Sequence, residues 1–143
     1  MTYTIYDPLT GEIKYTFVSD SSDTIDANLS GQSYVIGNYA PDQHYIVNGQ
    51  VQNKPNRPDN ELIYDFDYAQ GTWTINIDET TNQIRYQRNI RLNDIDRVNP
   101  IWYASLNTDQ QQELSTYRQA LLAVPQQSGF PETVTWPVKP TWL

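Results

Sequence analysis

Cysteine is missing from the 143 residues, so disulfides and thiolate chemistry are excluded. A zinc site would have to rest on carboxylates and the single histidine, His44. Long apolar runs are missing too: no stretch approaches the ~18 residues that a membrane helix needs. Met1-Thr2-Tyr3-Thr4 offers neither a basic n-region nor an apolar h-region, so no signal peptide is expected. The six glycines are scattered, which leaves no Gly-rich loop of the phosphate-cradling or dinucleotide type. Positive charge is scarce: nine Lys and Arg stand against seventeen Asp and Glu, for a net charge of −8. The deficit is spread along the chain, with seven acids and three bases in residues 1–60 and ten acids and six bases in residues 61–143. An acidic chain with no basic tail repels phosphate, so nucleic acid is not an expected partner.

What is abundant is aromatic surface, in eleven tyrosines and four tryptophans. Tyr and Trp cover large areas while keeping a polar handle, which suits protein interfaces. The plainer alternative, tyrosines filling the solvent faces of strands, carries equal weight at this level.

The first half reads as β-structure. Thr2–Tyr6 and Glu12–Val18 are rich in β-branched and aromatic residues, and Asp7-Pro8-Leu9-Thr10-Gly11 between them suits a turn. Ser19 to Leu29 is polar and acidic, a loop or one short helical turn. His44 to Val51 carries Asn48-Gly49 at its centre, the pair that a two-residue type I′ hairpin requires. The Pro- and Asn-rich stretch Asn53 to Asn60 reads as a linker, and it sets the expected domains at 1–58 and 59–143. Leu62 to Tyr68 and Thr72 to Ile77, joined through Ala69-Gln70-Gly71, form a second β-pair.

Glu79 to Ile95 is ambiguous. Ile84, Tyr86, Ile90 and Leu92 partly alternate as in a strand, whereas Ile84, the Arg88 stem, Leu92 and Ile95 form one helical stripe. The helical pattern is narrowly favoured. The next helix is clearer: Thr108 as cap with Gln111 three residues on, then Leu114, Tyr117, Leu121 and Val124 as its apolar stripe, and Pro125 as its end. Gly129 to Leu143 follows with little regular structure and many Pro and Trp. The fold class is therefore α+β: an N-terminal β-hairpin-rich module, a two-helix segment and an extended Pro/Trp-rich C-terminal tail.

No catalytic constellation emerges. His44 sits beside a hairpin turn, where a surface or cross-strand role outweighs general-base duty. Asp65 and Asp67 could point the same way from a strand and serve as an acid–base pair or hold a cation. A solvated strand face is the ordinary reading, as it is for Asp94 and Asp96. Asp20 to Asp26 lacks the spacing of a calcium loop. Arg85, Arg88 and Arg91 would give a basic ridge on a helix, able to grip a partner's acids, although such spacing more often marks a solvated face. No catalytic, cofactor-binding or metal-binding residues are assigned, and no cofactor is expected.

The C-terminal half has a resemblance. Ile84-Arg85 and Arg88-Asn89 precede Leu92 and Asp96, and Leu106 to Gln111 follow. More specific are Tyr117-Arg118-Gln119-Ala120-Leu121 and Val124-Pro125-Gln126-Gln127. Most specific are Gly129-Phe130-Pro131, Val134-Thr135-Trp136-Pro137 and Lys139-Pro140. Over about residues 80–140 this order resembles the phage tail assembly chaperone proteins. Two departures stand out: Arg88-Asn89-Ile90-Arg91 where the family commonly has aspartate after the first arginine, and Trp102 six residues after Asp96, which implies a longer join between the helices. Thr10-Gly11-Glu12-Ile13, Gly37-Asn38-Tyr39, His44 to Gly49 and Arg57-Pro58 are more loosely similar to N-terminal modules of phage tail-associated proteins.

The resemblance makes the ambiguous stretch a helix at about 79–94, beside the helix at about 108–124, and implies a non-enzymatic bacteriophage protein that assists tail or tail-fibre assembly. It would bind a tail-fibre or baseplate protein through Tyr117, Arg118, Phe130, Trp136, Pro137 and Trp142, acting in the host cytoplasm during assembly. A homo-oligomer is compatible with it; nucleic acid and membrane are not expected partners. The alternative is a permanent virion component, a tail-fibre or baseplate adaptor. A third class, glycan binding by exposed Trp and Tyr, ranks behind both.

Overall fold

The computed structural model describes residues 1–27 and 29–143; Asn28, inside the expected Ser19–Leu29 loop, lies outside the described residues. The chain divides into two compact units, Met1–Asn60 with Tyr64–Thr74, and Glu61–Ile63 with Ile75–Leu143.

The first unit is built on β1 (Thr2–Tyr6), which lies between β2 (Ile13–Val18) and β3 (Ser33–Ile36) in an antiparallel sheet. As the central strand it is buried on both faces. Side chains alternate along it, so Tyr3 and Ile5 point together into a small core with Ile25 of α1 (Ser22–Asp26), Leu29 and Tyr34. Burying Ile5 to 2% exposure stabilises the unit by ~1.5–3 kcal/mol. Thr4 faces the other way, fully buried, and its Oγ1 donates to the Gly37 carbonyl (2.8 Å) and accepts from the Tyr39 amide (3.1 Å).

The Asn48-Gly49 hairpin forms as its sequence demands. β4 (His44–Val47) pairs with β5 (Gln50–Asn53), and Asn48 and Gly49 take φ of 50° and 75°. Gly11 joins this hairpin to the first one: its carbonyl accepts from the Ile46 amide at 2.9 Å, and it holds φ +84°. A Cβ there would collide with the Ile46 carbonyl oxygen, so the position needs glycine twice over.

β6 (Tyr64–Asp67) and β7 (Thr72–Ile75) form the expected pair, turning through Gly71 at φ +68°. Tyr64–Thr74 lies with the first unit, whereas a division at 58/59 would group it with the helices. The reason is aromatic packing, which draws it to the first unit: Tyr45 meets Phe66 at 5.0 Å and Tyr68 at 6.4 Å between ring centroids, in edge-to-face geometry. β3 was not anticipated from the sequence. Four residues between turns carry too little alternation, and it forms because β1 offers it an edge.

The second unit is helical. α2 (Ile77–Asp96) resolves the ambiguous stretch as a helix, capped by Asn76, whose side chain accepts from the Glu79 amide at 3.0 Å. Asp78 and Glu79 in its first turn complement the helix dipole. Thr80 is 1% exposed, and its Oγ1 accepts from the Ile63 amide at 3.1 Å, which ties the segment before the β-pair to this helix. α3 (Pro100–Ser105) fills the join that the late Trp102 implies. α4 (Thr108–Leu122) begins one residue earlier than the sequence reading placed it: Asn107 caps it and Gln110 completes the capping box. Gln111 has a different task, donating to the carbonyls of Tyr103 (3.2 Å) and Leu106 (3.3 Å) at the end of α3. Leu92 and Ile95 of α2 meet Leu114, Tyr117 and Leu121 of α4 in the core. Val124 is also fully buried, in a 3-10 turn at Val124–Gln126. None of the helices among the described residues is long and apolar enough to cross a membrane.

Candidate protein-docking surface

Residues 127–143 contain no helix or strand, yet they do not dangle from the second unit. Two anchors fold them back onto α2 and α4, and a third contact closes the tail on itself. The Gln127 side chain donates to the Thr135 carbonyl (2.7 Å) and accepts from the Thr135 amide (2.8 Å), closing the loop that holds Phe130. Trp136 packs on the Leu92–Leu121 core with the Arg91 guanidinium 4.0 Å from its ring centroid. Trp142 packs on the same core, donates from Nε1 to Glu113 at 2.8 Å, and lies 6.3 Å from the Trp102 ring.

The six expected contact residues thus separate by environment. Tyr117 is 8% exposed and belongs to the core. Trp136 and Trp142 are half-buried and share in the fold. Arg118 pairs with Asp96 at 2.9 Å on the surface, where both side chains stay wet, and its hydrogen bond to Asp96 raises the Arg118 pKa above the ordinary value. Pro137 and Phe130 are half-buried. Arg85, Arg88 and Arg91 do not make a uniform ridge: Arg91 is committed to Trp136, Arg88 donates to Asn89 next to it, and Arg85 is exposed.

Two open cavities of this unit carry much apolar wall beside polar residues. A cavity of about 610 Å³ runs between α4 and the tail, floored by Tyr117 and Ala120 and walled by Pro137, Val138 and Pro140. A second, of about 400 Å³, is lined by Ile95, Val98, Pro100, Tyr103, Leu114 and Arg118. Val138 (88% exposed) and Ile101 (81%) are the most exposed large apolar side chains of this unit among the described residues; Tyr86, Ile90 and Ile77 on α2 and Trp102 and Tyr103 on α3 are exposed as well. Scattered apolar exposure is ordinary; three such side chains in succession on the short α3 suit a protein contact. Sequence reasoning passed over Ile101, Trp102, Tyr103 and Val138. The signal was a Pro-Ile-Trp-Tyr run too short to call amphipathic.

The chemistry sought in the first unit takes structural forms. The Asp67 carboxylate accepts from the amides of Ala69 (3.0 Å) and Gln70 (2.9 Å), holding the β6–β7 turn. His44 lies on β4 opposite Asn53, with Nδ1 3.2 Å from the Ala40 carbonyl and its ring edge-on to Tyr39 at 5.5 Å. Lys54 places its ammonium over Phe66 (4.6 Å), Tyr68 (5.0 Å) and Trp73 (5.5 Å). Burial there lowers the Lys54 pKa and raises that of Tyr68. Among the described residues no group of three or more His, Asp or Glu could hold a metal ion.

Residues 81–141 match the model of the family described as phage tail assembly chaperone protein. No curated protein and no solved structure matches the chain.

Proposed function

We propose that the protein is a non-enzymatic component of a bacteriophage tail system that binds a tail-fibre or baseplate protein and assists tail assembly in the host cytoplasm. The observation that carries this reading is a coincidence of boundaries. The family match at residues 81–141 falls inside one compact unit and includes both the α2–α4 core and the folded-back tail. The matching residues therefore describe a folded body with its own core rather than a scattered motif.

Tyr117 and Pro137 line the larger cavity, and Arg118 lines the smaller one. Trp136 and Trp142 brace the tail that forms the cavity wall, and Phe130 sits in the loop that Gln127 and Thr135 close. On this reading the exposed groups of α3 and Val138 make first contact with a partner's apolar or unpaired strand surface, and the bracing tryptophans keep the contact surface in shape.

Quantitative mass spectrometry of purified virions and of infected-cell lysate tests the proposal. An assembly factor is abundant in lysate, co-purifies there with tail proteins, and is absent from finished particles. A fixed symmetric copy number per virion would replace this reading with that of a permanent adaptor.

A further inference from the structure

The first unit has a cavity that the assembly reading does not use. It measures about 540 Å³ and opens between the start of β4, the end of β5 with the segment that follows it, and β7, with Asp42, His44, Asn53, Lys54, Arg57 and Trp73 on its walls. This lies within the ~300–1,000 Å³ typical of small-molecule sites.

Charge is distributed unevenly around it. Across Met1–Asn60 and Tyr64–Thr74 the unit holds nine carboxylates and only three bases. Two of those bases, Lys54 and Arg57, border this cavity, together with the chain's one histidine and a single carboxylate, Asp42. The Lys54 ammonium is turned to its aromatic ring cluster, so its charge acts at a distance. Arg57 is exposed and makes no hydrogen bond or ion pair among the described residues, which leaves its guanidinium fork free for a carboxylate.

The other walls suit hydroxyl groups. Asn53 offers both donor and acceptor, and Asp42 accepts only. Trp73 spends its N–H on the Pro55 carbonyl at 2.7 Å, so the indole is pinned and has ring surface to offer. A phosphate dianion is a poorer match, because Asp42 opposes it and no Gly-rich row of backbone amides is present.

We propose that this cavity binds an acidic saccharide, a sugar ring bearing one carboxylate, with Arg57 gripping the carboxylate, Asp42 and Asn53 meeting hydroxyls and Trp73 packing on the ring. The test is a titration of the ¹⁵N-labelled full chain with glucuronate, glucose and acetate, followed by NMR. Glucuronate is expected to shift the Trp73 indole and the amides of His44 and Asn53 saturably, with glucose weaker by about tenfold or more through loss of the charge-assisted bonds. Arg57→Ala should remove that preference while leaving the Asn48-Gly49 hairpin amides in place; Arg57→Lys should restore only part of it. A glucuronate oligomer separates the two sources of such a sugar. Tighter binding than the monomer supports a unit within a polysaccharide, and equal binding supports the free sugar. The proposal is overturned if glucuronate gives no saturable shift, if acetate shifts the same amides equally, or if Arg57→Ala binds glucuronate as the wild type does.

Discussion

Replacing Arg91 and Trp136, singly and together, probes whether the tail is held by a specific cation–ring contact or by apolar burial alone. A fully buried Trp→Ala change costs ~3–5 kcal/mol. Trp136 is half-buried on the Leu92–Leu121 core, so about half of that, ~2 kcal/mol, is expected for Trp136→Ala. Arg91→Ala removes the guanidinium 4.0 Å from the ring and its bond to the Gln87 carbonyl, for ~1 kcal/mol. If the two acted independently the double variant would lose ~3 kcal/mol. Because most of the Arg91 loss is the ring contact, which Trp136→Ala has already removed, the double variant should lose only ~2 kcal/mol, a coupling of ~1 kcal/mol. Urea unfolding followed by far-UV circular dichroism reports this, since α2, α3 and α4 all lie in the second unit. Additive losses would refute the reasoning and mark the stacked geometry as incidental.

Thr4→Val keeps the shape but strands the Gly37 carbonyl and the Tyr39 amide, so a loss of ~2–3 kcal/mol is expected in thermal unfolding of the first unit. Gly11→Ala should destabilise by at least as much, ~2 kcal/mol or more, because the collision with Ile46 and the left-handed φ add together; near-UV circular dichroism of the Tyr-rich strands would show it. Asp96→Asn should leave the urea midpoint unchanged, since the Arg118 pair is exposed, and a clear loss would show that it is coupled to the core beneath. Val138→Asp should weaken capture of tail proteins from infected-cell lysate without altering unfolding, whereas equal capture would remove Val138 from the docking surface.

Local rules carried much of the fold. Asn48-Gly49 dictated its hairpin because few pairs tolerate positive φ at both positions. The stripe Leu114, Tyr117, Leu121, Val124 named the buried face of α4 and of the 3-10 turn after it, because burial repeats with the helical period. Composition removed thiol chemistry and Gly-rich phosphate loops, and the order of motifs from Ile84 to Pro140 pointed to the family whose model matches residues 81–141.

Tertiary structure decided what short segments and single side chains do. β3 exists because β1 lends it an edge, and Tyr64–Thr74 joins the first unit because Phe66 and Trp73 find Tyr45 and Lys54 there. One-dimensional periodicity cannot express either partner. The same holds for the arginines: spacing alone made Arg85, Arg88 and Arg91 equivalent, and only the returning tail singled out Arg91 by laying Trp136 on it. The convergence of Arg57, His44 and Trp73 on one cavity likewise needs β4, β7 and the segment after β5 brought together, so residues far apart in the chain became neighbours only in the folded unit.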